Sequence, residues 1–128
     1  MHPAYNYIKQ AINGQYPDTE ASAIAKAILT DVFQLSTTDL YASKDMNFST
    51  NQAEKLEVII TRLRANEPLQ YILGNCYFCG LDFHVEPGVL IPRPETAELV
   101  EWIISDRKSS DSPIRILDIG TGSGCISI

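Results

Sequence analysis

Apolar positions in the first half of the chain recur at helical intervals. Between residues 20 and 35, Ile24, Ile28, Leu29, Val32 and Phe33 share one face, while Lys26, Thr30 and Asp31 turn toward the other. A second helix is expected to begin at Ser49, because Gln52 three residues on completes a capping box. Its stripe is Leu56, Ile59, Ile60 and Leu63; Glu54, Lys55, Glu57, Arg62 and Arg64 stay solvated. Pro68 disfavours helix at the residue before it and is expected to end the segment. Shorter helices are expected over residues 5–13 and 38–42. Residues 1–66 thus read as a small helical domain with its own core.

The pattern changes at Glu67. "CYFCGLDFHVEPGVLIP" mixes aromatic and β-branched residues with Gly80 and Pro87-Gly88, which predicts a hairpin and then an extended passage. Residues 67–93 therefore read as a β-hairpin linker. "RPETAELVEWIISD" returns to helical spacing, with Leu99, Val100 and Ile103 as its stripe and acidic residues near its start. After the polar loop "RKSSDSP", Ile114, Ile116, Leu117 and Ile119 form a short, nearly continuous apolar run. Such a run suits a parallel strand covered on both faces. Residues 94–128 read as the start of a doubly wound α/β domain. One central strand cannot satisfy its backbone alone, so the chain is expected to be a fragment of a longer protein.

Composition narrows the function. Of 128 residues, 45% are hydrophobic and 20% charged, the balance of a globular protein. The net charge is −6, with 6 basic and 7 acidic residues up to residue 66, then 4 and 9. That argues against a general nucleic-acid binder, which needs a basic stripe. No apolar run approaches the roughly 18–20 residues that span a bilayer, and "MHPAYNYIKQ" lacks the pattern of a signal peptide. Three cysteines do not make a disulfide framework, so reduced thiols and a cytoplasmic location are expected.

Candidate chemistry concentrates at the end, in "RILDIGTGSGCISI". Asp118-Ile119-Gly120-Thr121-Gly122-Ser123-Gly124 has the form D-x-G-x-G-x-G. Its glycines permit positive φ and close approach of a ligand to the backbone. The dinucleotide fingerprint wants Gly or Ala where Cys125 stands, and no Lys follows to complete a phosphate-cradling loop. An acidic residue beside such glycines suits a ligand with an amino group and no phosphate, of which S-adenosylmethionine is one. A nicotinamide or flavin site, and a tight turn without ligand, remain alternatives on the pattern alone.

"EPLQYILG" (67–74), "FHVEPGVLIPRPETAELVE" (83–101) and "ILDIGTGSGCISI" (116–128) occur in that order. Together they closely resemble the HemK/PrmC family, the glutamine N5-methyltransferases that modify peptide chain release factors. The resemblance covers residues 67–128; the helical part matches in size and character. It implies a helical domain joined by a β-hairpin to a class I, Rossmann-like methyltransferase domain, here truncated, with S-adenosylmethionine as methyl donor and no metal. By this resemblance Gly120, Thr121, Gly122, Ser123 and Gly124 form the cofactor loop with Asp118 beside it. Arg93, Pro94, Glu95 and Thr96 match a stretch near the cofactor cleft, although Pro94-Glu95-Thr96 also reads as a helix start. The implied partner is a release factor methylated in its Gly-Gly-Gln motif, with nucleic acid met only through the ribosome and no membrane.

Two family elements, the acidic ribose-binding residue and the Asn-Pro-Pro-Tyr motif that orients the substrate amide, are expected beyond residue 128. The chain therefore holds no catalytic residue and is expected to be inactive alone. Other readings are a methyltransferase for a ribosomal-protein glutamine or a nucleobase amino group, and a non-catalytic partner-binding module. Cys76 and Cys79 form a C-x-x-C without the further ligands zinc needs and read as apolar hairpin residues. Cys125 reads as helix packing, His84 as structural, Trp102, Tyr5 and Tyr7 as core or interface residues, and Glu95, Glu98 and Glu101 as a solvated edge.

Overall fold

The computed structural model describes residues 1–42, 48–107 and 115–128. They form two compact units, Met1–Leu73 and Gly74–Ile128.

The first unit is helical. Its elements are α1 (Pro3–Ala11), α2 (Asp18–Ala27) running into a π-helical turn (Ile28–Val32), α3 (Thr37–Ala42), α4 (Thr50–Arg64) and α5 (Leu69–Leu73). Ile8, Ile12, Ile28, Leu29, Ile60 and Leu63 are fully buried, and with Ile24 and Ala25 of α2 they bring α1, α2, the π turn and α4 around one core. Burying each such side chain contributes about 1.5–3 kcal/mol. The Ser49 capping box is formed: the Gln52 amide donates to Ser49 Oγ at 3.3 Å and the Ser49 amide donates to Gln52 Oε1 at 2.9 Å.

Three local expectations are corrected. The helix placed over residues 20–35 starts earlier, at Asp18, and widens into the π turn before Gln34 stops it with φ 56°. The α4 helix stops before Pro68 acts: Asn66 adopts φ 60°, and the Glu67 amide turns back to the Arg62 carbonyl at 3.2 Å. Pro68 instead opens α5, since its carbonyl accepts from the amides of Tyr71 and Ile72 at 3.0 and 3.2 Å. With five residues, α5 is too short to carry a periodic signature in its hydrophobic spacing.

Helix ends in this unit are closed by side chains from distant positions. Gln15 Nε2 donates to the Leu63 carbonyl at 2.9 Å and to Asn66 Oδ1 at 2.6 Å, meeting acceptors at the end of α4. In return, Arg64 Nε donates to the Ala11 carbonyl at the end of α1, at 2.8 Å. The Ala11 and Leu63 carbonyls lie in final turns, where a helix leaves acceptor capacity free for such side chains.

The second unit begins with the antiparallel hairpin β1 (Asn75–Phe78) and β2 (Leu81–His84), paired Asn75↔His84, Cys76↔Phe83, Tyr77↔Asp82 and Phe78↔Leu81. Its two-residue turn, Cys79-Gly80, has φ 47° and 87°, the geometry of a type I′ turn whose twist matches the strands. Cys76, Phe78, Phe83 and Val85 turn inward, and the Phe78 and Phe83 rings meet edge-on at 6.2 Å. The α6 helix (Pro94–Arg107) follows.

The strand-like run over residues 114–119 has no parallel sheet to join, and residues 115–118 are irregular, while Ile114 lies outside the described residues. Leu117 and Ile119 are each 85% exposed. A central strand needs hydrogen-bonding neighbours, and the hairpin is the one sheet among the described residues. The α6 stripe is only partly covered, with Val100 half-buried and Leu99 and Ile103 exposed, and Trp102, read as a core or interface residue, is 72% exposed. Glu95, Glu98 and Glu101 are solvated. No helix among the described residues is long and apolar enough to cross a membrane.

Candidate cofactor turn

The glycine turn forms without a preceding strand. Gly120, Gly122 and Gly124 have φ 77°, 56° and 79°, a left-handed region that costs other residues about 1–2 kcal/mol each. The Gly124 amide donates to the Thr121 carbonyl at 2.8 Å, closing the turn. The Gly124 carbonyl then accepts from the amides of Ser127 and Ile128 at 3.1 and 3.2 Å. The second of these spans four residues, the spacing of an α-helical turn. Local chemistry thus suffices to make the loop turn and start winding.

The glycines differ in what lies over them. A Cβ at Gly120 or Gly122 meets nothing within 4 Å among the described residues, which leaves backbone there accessible to a ligand; at Gly124 it would approach Ile128 Cδ1 to 3.2 Å. Asp118 is half-buried, and its Oδ2 is a buried acceptor with no hydrogen-bond donor among the described residues. Burying an acceptor without a partner costs about 1–3 kcal/mol. A cationic donor such as the ammonium of S-adenosylmethionine supplies what Oδ2 lacks, so these residues fit that cofactor. Asp118 lies in a recess of about 410 Å³ with Arg107, Arg115, Ile103 and Ile126. The two arginines were not singled out from sequence, because nothing in spacing ties residue 107 to residue 115.

Arg93, Pro94, Glu95 and Thr96 sit elsewhere in the unit. Pro94 is the first residue of α6, and the Thr96 amide donates to the Arg93 carbonyl at 3.0 Å, so this stretch starts the helix. No hydrogen bond or ion pair among the described residues joins residues 93–96 to residues 118–124. Thr121 is exposed and Ser123 half-buried.

The cysteines lie apart in character. Cys76 is buried in β1, and burial is the first cause that pushes its thiol pKa up, with Cys125 nearby as the second. It is thereby held as an unreactive thiol. Cys79 is exposed in the turn, and Cys125 borders an apolar recess with Phe83, Val100 and Ile103. No three His, Cys, Asp or Glu side chains among the described residues group to hold a metal. His84 is exposed on β2, with Nε2 4.0 Å from Glu86. Tyr5 is buried in the first unit's core, whereas Tyr7 is exposed and donates its hydroxyl to Glu57.

The PrmC N-terminal domain family matches residues 4–74, more than half of the chain. A release factor glutamine methyltransferase of Bacteroides thetaiotaomicron is 49% identical over 95% of this chain, and that match covers 43% of the relative. The protein of the same name from Flavobacterium psychrophilum is 44% identical over 93% of the chain and 42% of its own length. A further one from Coxiella burnetii is 40% identical over 81% of the chain and 37% of its own length. The chain spans about two-fifths of the length of these relatives. With the motifs of residues 67–128 and the family match over residues 4–74 in agreement, the chain belongs to the HemK/PrmC family.

Proposed function

We propose that the chain is the N-terminal part of an S-adenosylmethionine-dependent methyltransferase. Its substrate is the side-chain amide nitrogen of a glutamine in peptide chain release factors, within their Gly-Gly-Gln motif. The observation that carries this reading is the 49% identity over 95% of the chain to a protein named for that activity. Residues 1–66 act as the substrate-recognition domain, residues 67–93 as the linker, and residues 94–128 as the start of a Rossmann-like catalytic domain. The substrate class places the enzyme in the cytoplasm.

The cofactor supplies an electrophilic methyl group on a sulfonium. This chain's part is to hold its donor in place. The Asp118 carboxylate, a buried acceptor, would accept from the ammonium, and the bare backbone at Gly120 and Gly122 would admit the rest of the ligand closely. Thr121, Ser123 and Gly124 complete the loop, while residues 93–96 set the start of α6. The acceptors that orient the glutamine amide belong to the Asn-Pro-Pro-Tyr motif implied by the family resemblance. Orientation supplies much of the rate in such a transfer, so the chain alone is inactive.

Calorimetric titration with S-adenosylmethionine tests the half-site: weak or no binding is expected for this chain, and micromolar affinity counts against it. In the full-length protein, Asp118→Asn is expected to weaken donor binding about tenfold, the effect of losing one charge-assisted hydrogen bond. Mass spectrometry of the Gly-Gly-Gln peptide after incubation reads the transfer. An unmodified glutamine sinks the substrate assignment.

A further inference from the structure

Arg62 draws together groups that no periodic pattern connects. Its Nε donates to Glu67 Oε2 at 2.7 Å and its Nη2 to Oε1 at 2.6 Å, a two-pronged pair. The same guanidinium reaches the carbonyls of Tyr71 at 3.3 Å and Ile72 at 3.5 Å. Those carbonyls belong to the last turn of α5, where a helix leaves acceptors unmet and favours a cation. The pair is not fully solvated: the two side chains are 37% and 26% exposed. Each partner favours the other's charged form, Arg62 raising its own affinity for the proton beside Glu67 and Glu67 losing affinity beside Arg62. Gly74, with φ 79°, follows α5 directly and is the first residue of the second unit.

We propose that Arg62 is a positioning residue for the methyl-transfer reaction: its fork clamps α5 onto the end of α4 and fixes the direction in which the chain leaves the helical unit. This rests on the reading of the chain as part of a release-factor methyltransferase. A folded substrate held by the helical unit reacts well only if the departing chain has one course, because lost orientation lowers effective concentration. A short glutamine peptide, too small to engage that unit, is indifferent to the clamp. Lysine keeps the charge and loses the fork, so Arg62→Lys isolates the geometry.

In the full-length protein, Arg62→Lys is expected to raise KM for a folded release factor about tenfold and leave kcat/KM for a Gly-Gly-Gln peptide unchanged. Amide exchange at Tyr71 and Ile72 is expected to quicken about tenfold relative to Ile59 and Ile60. Equal losses on both substrates, an unchanged KM for the folded factor, or unchanged exchange overturns the proposal. Should Arg62→Lys fail to fold, Glu67→Gln removes the other half of the pair and is held to the same readouts. If the unsubstituted protein methylates neither substrate, the methyl-transfer reading falls. The exchange measurement then decides the clamp by itself, and no acceleration overturns it.

Discussion

Glu67 carries its negative charge against the Arg62 guanidinium, and the hydrogen bonds between them hold its carboxyl pKa below the usual range. The stabilisation is complete above the ordinary carboxylate pKa and is lost as pH falls through the lowered folded value. Thermal unfolding of the unsubstituted chain and Glu67→Gln, followed by circular dichroism over a pH series, is expected to show a gap that closes in acid. A gap that persists unchanged to low pH would remove this account. Single residues were also where sequence reasoning was weakest. Asn66 stops α4 through a left-handed backbone angle, which its residue type permits but no spacing announces. Pro68 carried the more visible signal and did a different job. By contrast, Ser49 and Gln52 were legible, because a capping box is defined by a three-residue interval and depends on nothing distant.

Among elements, the hairpin followed from its residues most directly: alternating apolar positions flank a Gly-containing turn of two residues. Cys79 is an unusual occupant of that turn, since its φ of 47° suits asparagine better. Cys79→Asn is expected to stabilise the second unit by a few tenths to about 1 kcal/mol, and chemical denaturation reads the change. A loss of stability would show that the cysteine side chain contributes more than its backbone angle costs. The 114–119 run carried the composition of a parallel strand but not the outcome. Strand composition states a preference for burial on both faces, while strand formation needs partners to bond. The α6 helix formed at its expected place because its backbone bonds are internal, although Leu99 and Ile103 remain 41% and 39% exposed. Helices can therefore be read from a segment by itself more safely than strands.

At the scale of the whole molecule, the two units differ in how far they satisfy themselves. The first closes a core with several side chains at zero exposure, whereas the second leaves Trp102, Ile104, Leu117 and Ile119 facing water. Trp102 is the one tryptophan in the sequence, so intrinsic emission reports on it alone. This chain is expected to show the red-shifted, readily quenched emission of a solvated indole; blue-shifted emission resistant to iodide would contradict the exposure found here. The candidate site was legible where chemistry is local, in the glycines and Asp118. The Arg62 cluster was not, because its acceptors arrive through a turn and a short helix that had to be seen first.

The exchange of caps between α1 and α4 has a consequence for how the first unit comes apart. Gln15 and Arg64 join chain segments some fifty positions apart, each holding the other's final turn. Fraying of either turn breaks a hydrogen bond that the other segment contributes. The two helix ends are therefore coupled, and trimming the chain through Gln15 is expected to loosen the turn at residue 66, where the chain heads toward α5.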